Sequence, residues 1–406
     1  MSSTTENAGT TDNAGTTASG AVAAMKSLLS ETSTPEDLLA ALQQTLTERQ
    51  DYHRLFDAKL IAVRRRLGLP LSRPTSLDNV PKAHEQEFRE AYISAAREIG
   101  HLFLQAGRLS DAWAYYRTIG EPEPVRAAIE KITVPREPDE TFEEIMNVAL
   151  YEGAHICRGL EFLLKTHGTC NTVTAFSQLQ QQMTAAERRR SAAMMVRTIH
   201  DDVLASVRRH IENRMPLLSP ATSLTELISD RDWLFDEGNY HIDVSHLHST
   251  VAFARALHAE DPELRKAVEL CDYGIRLAPH LQYPGDVPFD EYYTANRFFL
   301  KALAGDSPKA SLDYFRDRLS REPDLPDQRL IAFVLLDLAE RLGRLNDVID
   351  DVTPFVSRME DPNGFSFTEM CLERGMADRL ERSAEENDDV LAYALAGLSR
   401  STPGSP

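Results

Sequence analysis

The stretch from Ala96 to Pro124, AREIGHLFLQAGRLSDAWAYYRTIGEPEP, limits what this chain can fold into more than any other. Ile99, Gly100 and Phe103 share one face at helical spacing. Gly107 ends that helix, Ala112 and Tyr116 share a face of the next, and Pro124 closes the unit. Small residues stand where two helices would cross, and large ones fill the space beside them. The spacing predicts an antiparallel helical hairpin over 96–124, with Gly100 and Ala112 at the close contact. Such a hairpin keeps one adhesive face and needs neighbouring hairpins to cover it.

Weaker copies recur further on. In LRKAVELCDYGIRLAP, 264–279, Ala267, Cys271, Gly274 and Pro279 repeat the second-helix spacing. The preceding segment, 247–258, shows Ala254-Arg255 where a Leu-Gly pair would suit the pattern. Over 331–362, Leu335, Gly343, Leu345, Val352, Phe355 and Pro362 keep the rhythm, with Val348 in the small-residue place. Ser311, Phe315 and Pro323 give a poorer match. With its Ile99-Gly100, Phe103, Ala112, Tyr116 and Pro124, the 96–124 window resembles the tetratricopeptide repeat, a unit of about 34 residues. The departure is Ala96, where that family usually carries Trp or another large residue. The resemblance implies a right-handed α-solenoid of antiparallel helix pairs with a concave binding surface.

Composition agrees with an all-α chain. Leu, Ala, Glu and Arg dominate, and alternating β-branched runs are sparse. Hydrophobic residues make up 42% of the 406, enough to bury a core. No apolar run approaches the roughly 18–20 residues that span a bilayer. The first twenty residues repeat NAGTT twice and lack both a basic start and an apolar core, so no secretion signal is read there. The four cysteines, Cys157, Cys170, Cys271 and Cys371, form no CxxC pair. Scattered cysteines without a signal point to a reducing, cytoplasmic setting.

The net charge of −19 disfavours a nucleic-acid regulator, because such binding rests on Lys and Arg contacts to phosphate. Two clusters, Arg64-Arg65-Arg66 and Arg188-Arg189-Arg190, oppose that total locally. A solvated helical face or a favourable helix end accounts for both.

Caps and breakers divide the chain. Residues 1–30 read as a Thr/Ser/Asn/Gly-rich disordered tail. Thr34-Pro35-Glu36-Asp37 is a helix start, and a second helix follows over Arg54–Leu67. An N-terminal helical region over 31–135 contains the hairpin. Pro135-Arg136-Glu137-Pro138 is a first linker, 140–213 a central helical region, and Pro216 to Ser223 a second linker. Repeat-like helices occupy 224–385, and 386–406 hold a helix end and a short tail.

Three constellations bear on chemistry. In NYHIDVSHLHS, His241, Asp243, His246 and His248 put four potential metal ligands into eight residues. If 245–258 is one helix, His246 and His248 point about 200° apart, so a site needs His241 and Asp243 to converge with one of them. Otherwise Asp243 or Ser245 caps the helix. Cys170, in Gly168-Thr169-Cys170-Asn171-Thr172 near His167, has the setting of a nucleophile at a helix start. A Gly168 cap followed by a new helix explains the same residues. Third, the long turn-rich segment 277–293 gathers Tyr283, Phe289, Tyr292 and Tyr293 beside Asp286, Asp290 and Glu291. That aromatic and acidic rim suits a basic or Pro-rich peptide, or else the aromatics pack the connection onto the array.

The leading expectation is a cytoplasmic, non-catalytic scaffold that binds a protein or peptide through Tyr283, Phe289, Asp290, Glu291, Tyr292 and Tyr293, with no cofactor, nucleic acid or membrane. The competing one is a metal-dependent or cysteine-based enzyme centred on 241–248 or Cys170.

Overall fold

The computed structural model describes residues 34–215, 223–357 and 365–401, together with Gly20, Val22, Ala23, Lys26 and Ser27. It is all-α, with no strand among the described residues. No described helix is long and apolar enough to cross a membrane. Those five early residues are helical, where a disordered tail was expected. They sit in an alanine-rich run of good helix formers. The rest of the expected tail, residues 216–222 of the second linker, Pro362 and the final residues 402–406 lie outside the described residues.

The chain forms two compact units that divide between Thr166 and His167. In the first, α1 (Pro35–Glu48), α2 (Tyr52–Arg66), α3 (Lys82–Gln105), α4 (Leu109–Ile119), α5 (Glu123–Glu130) and α6 (Glu140–Leu150) follow one another. The start of α1 is a reciprocal cap: Asp37 N–H donates to Thr34 Oγ1 at 3.2 Å, and Thr34 N–H donates to Asp37 Oδ2 at 2.9 Å. Each helix from α1 to α4 packs on its successor, α3 also reaches α5, and α4 also reaches α6. The predicted hairpin is α3 and α4. Its close contact pairs Gly100 with Tyr116, since a Cβ on Gly100 would stand 2.7 Å from a Tyr116 ring carbon. Ala112 is fully buried one turn earlier on α4, and the atoms nearest Gly100 belong to the Tyr116 ring. Pro124 lies in the first turn of α5 and does not end the unit.

The expected linker at 135–138 is a connection inside the first unit. Side chains from beyond α6 reach back to the segment before the connection: Arg158 Nη2 donates to the Ile132 carbonyl at 2.7 Å, and His155 Nε2 lies 2.8 Å from Glu130 Oε1. The division falls instead within α7 (Ile156–Leu179), where Gly168 takes φ 80° and interrupts the helical backbone. This is the Gly168 break that the sequence offered as the alternative to a reactive cysteine.

Both arginine clusters are consumed internally. Arg64 is fully buried and donates to the carbonyls of Pro70, Pro74 and Ser76, pinning the loop after α2. Its guanidinium also lies 5.0 Å from the Phe88 ring centroid. The solvated-face reading is therefore wrong for Arg64, a buried side chain whose fork matches three carbonyls of the loop above it. Arg65 and Arg66 pair with Glu36 and Glu87 at 3.4 and 3.0 Å. Arg188 donates to the carbonyls of Gln180 and Met183, and Arg189 holds Asp261 at 2.7 Å and Glu260 at 3.1 Å.

The second unit is built on the 30-residue α8 (Ala185–Arg214), which is also opened by a reciprocal cap, Thr184 with Glu187. Against α8 pack α9 (Leu224–Ile228), α10 (Val244–Ala254) and α11 (Glu263–Ile275). Next come α12 (Tyr292–Leu303), α13 (Pro308–Arg321), α14 (Leu325–Arg341) and α15 (Ile349–Val356). From α10 to α15 each helix packs on the next, and α12 also touches both α10 and α14. Then α16 (Phe367–Glu373), α17 (Ala377–Asn387) and α18 (Val390–Ser401) follow. The pair α17 and α18 packs together across the expected boundary at 385. The glycine-under-ring contact recurs: a Cβ on Gly274 of α11 would come within 2.3 Å of the Tyr293 ring of α12.

Candidate functional site

The 251–257 run, VAFARAL, is apolar except for Arg255. Val251, Phe253, Ala254 and Leu257 are buried, so the end of α10 lies in the core and carries its arginine inward. Arg341 of α14 fixes this end, donating from Nη1 to the Arg255 carbonyl at 2.8 Å and from Nη2 to the Leu257 carbonyl. The Arg255 side chain is partly buried. It lies over Phe289, with Cζ 4.3 Å from the ring centroid, and its Nε donates weakly to the Ala252 carbonyl at 3.3 Å. Among the described residues no carboxylate comes within 4 Å of it. Burial pulls the guanidinium below its usual range, and Tyr292 and Asp286 oppose that shift.

Around this cation lies a cavity of about 320 Å³. Its walls come from α10, the 284–289 loop, the start of α12 and the face of α14 that carries Leu330, Phe333 and Val334. His248, about two turns before Arg255 on α10, lines it too. The His248 ring stacks on Tyr292 at 3.7 Å with the planes 13° apart. Tyr292 in turn donates its hydroxyl to the His248 carbonyl. The His248 Nε2 is buried without a hydrogen-bond partner. Burial lowers its pKa first, the neighbouring Arg255 charge lowers it further, and the Pro284 backbone partly offsets both. Burial and the neighbouring cation both disfavour a proton on His248.

The expected binding residues divide. Phe289, Tyr292 and Tyr293 are buried: they pack the long connection onto the array. Tyr283 remains 47% exposed, at 6.3 Å between ring centroids from His248. Asp290 and Glu291 share one cation, Arg318 of α13, which pairs closely with Asp290 and stands 3.9 Å from Glu291. One arginine offsets one of these two charges, so the expected acidic rim is reduced by Arg318 and not cancelled.

The histidine cluster does not converge. His241 Nε2 lies 2.9 Å from His210 Nδ1 of α8, and its Nδ1 lies 3.1 Å from the Tyr273 hydroxyl, to which its own backbone N–H donates at 2.8 Å. Burial, and then the His210 charge, push His241 down to about 4. Asp243 caps α10, accepting from Ser245 N–H at 2.8 Å and from its hydroxyl at 2.6 Å. His246 is half-buried on α10, and His248 belongs to the Arg255 cavity. Among the described residues no three His, Cys, Asp or Glu side chains are placed to hold a metal ion. Cys170 is exposed on α7, while Cys157, Cys271 and Cys371 are buried.

Arg255 and the α14 wall were missed by reasoning from sequence. The available signal was the lone arginine in VAFARAL, noticed only as a departure from the repeat pattern. Comparison with known proteins finds no matching family model, no matching curated protein and no matching solved structure.

Proposed function

We propose that this chain is a cytoplasmic, non-catalytic helical-repeat scaffold, similar to tetratricopeptide-repeat proteins and arranged as a right-handed solenoid, that binds a protein or peptide segment. The observation that supports the reading best is the packing order from α10 to α15: each helix rests on its successor, and α12 also meets α10 and α14. Neighbour and next-neighbour packing is how stacked hairpins bury their faces, and it leaves a preformed surface that loses little entropy on binding. Glycine under a tyrosine ring in both units, at Gly100 and Gly274, supports a shared hairpin geometry. A basic or Pro-rich partner draws less support from Asp290 and Glu291, because Arg318 offsets one of their two charges.

The binding surface is assigned to the cavity face, where Tyr283 and Leu330 are 47% exposed each. Partner capture from the native host by the full chain tests it. Tyr283→Ala with Leu330→Glu should leave helicity and unfolding temperature in place and remove the captured protein. An unchanged capture profile would sink the reading.

A further inference from the structure

The Arg255 cavity has a chemistry that scaffolding alone does not require. A partly buried guanidinium with no carboxylate partner lowers stability, and apolar residues of similar volume generally do better in such a place. Arg255 keeps its charge among Ala252, Phe289, Leu330, Phe333 and Val334. Among the described residues its guanidinium makes one long hydrogen bond, to its own helix, and lies over a ring face, which leaves its terminal nitrogens open to a ligand or to solvent. The same cavity holds a buried polar atom without a hydrogen-bond partner, His248 Nε2.

We propose that this cavity binds a carboxylate carried on a short apolar body, with Arg255 as the anion's partner. The planar guanidinium matches a carboxylate with two parallel hydrogen bonds. The volume, about 320 Å³, lies at the small end of ligand pockets. The aromatic and aliphatic walls suit a hydrocarbon body of several carbons. A phosphate dianion fits poorly, because one cation faces it and Asp286 adds a negative charge nearby. Arg341 brings no free charge, being engaged by two backbone carbonyls and by Asp337 at 3.5 Å. A free small acid and the C-terminal residue of a peptide present the same group. The inference deepens the binding reading above, and rests on it only for the peptide source.

Calorimetric titration of the full chain with 4-phenylbutyrate, its amide, and one apolar tetrapeptide as free acid and as C-terminal amide tests the assignment. The acid of at least one pair should bind at least about tenfold more tightly than its amide, the scale of one charge-assisted hydrogen bond. Arg255→Gln should lose that preference while unfolding at the same or a higher temperature. Asp286→Asn, an exposed substitution, should tighten the acid about two- to fivefold by removing a like charge. Inorganic phosphate should not compete at equal concentration. Equal binding of acid and amide, no binding of any of the four, or an acid preference that survives Arg255→Gln would overturn the proposal. Binding of phenylbutyrate without the peptide acid would keep this site and remove the peptide scaffold. Loss of partner capture in the Tyr283/Leu330 variant, with no acid preference, would do the reverse.

Discussion

Gly274 lies beneath the ring of Tyr293, with space for a hydrogen and none for a methyl group: a Cβ there would stand 2.3 Å from the ring. Tyr293 is itself buried between α11 and its neighbours and cannot swing out. Gly274→Ala must therefore separate α11 from α12 or force Tyr293 off its rotamer. The expected cost is about 1–3 kcal/mol, the scale of overpacking a close contact. Urea unfolding of the variant, read by far-UV circular dichroism, measures it. An unchanged midpoint would mean that the two helices do not meet as described.

Arg64 makes a second, independent test. Three loop carbonyls, of Pro70, Pro74 and Ser76, depend on one guanidinium. Arg64→Met keeps the aliphatic stem and removes every donor, which should cost about 1–3 kcal/mol through the lost charge-assisted hydrogen bonds to partly buried carbonyls. Arg64→Lys should recover only part of this, because an ammonium cannot reach three fixed directions at once. Limited proteolysis should open between 69 and 80 in the methionine variant before anywhere else in the first unit. Equal protease resistance in all three proteins would remove the clamp.

These two sites show what was legible in the sequence. Gly100, Ala112 and Tyr116 announced a close helical crossing because helix packing is local and periodic, and the hairpin lies where that spacing put it. Thr34 and Gly168 were readable for the same reason: a cap or a break acts within a few residues. Arg64 was not, since its three acceptors are backbone groups with no residue-type signature. The candidate sites were less legible. Nothing near Asp290 and Glu291 in the sequence announced Arg318, 28 residues from Asp290, which offsets one of their two charges. The Arg255 cavity needs Phe333 and Val334, and nothing local ties those residues to α10.

His241 makes stability depend on pH. Its folded-state pKa is lowered to about 4, first by burial and then by the His210 charge, against about 6.5 when unfolded. Between those values the unfolded chain binds the proton and the folded chain does not. The stabilisation from the neutral imidazole is therefore complete above about pH 6.5 and is lost as pH falls towards 4. His210 and Tyr273 face this ring. The unfolding temperature should fall over this window by more in the wild type than in His241→Gln, which cannot titrate. Parallel pH profiles for the two proteins would remove His241 as the cause.

The last prediction concerns the acidic pair at 290 and 291. Asp290 and Glu291 are partly exposed and share Arg318, so neutralising both, Asp290→Asn with Glu291→Gln, breaks an ion pair on a solvated surface. Such pairs contribute about 0–1 kcal/mol, and the unfolding midpoint should move by no more than that. Arg318 is then freed from its partners while Arg255 and its cavity walls keep theirs, because no wall residue bonds to either carboxylate. Binding of an apolar acid should be unchanged at low salt, where any long-range influence of the lost charges would be greatest. Partner capture should also persist. If the double change abolished capture at low salt and high salt restored none of it, the acidic rim would have to be the contact surface after all, and the cavity face would lose its role.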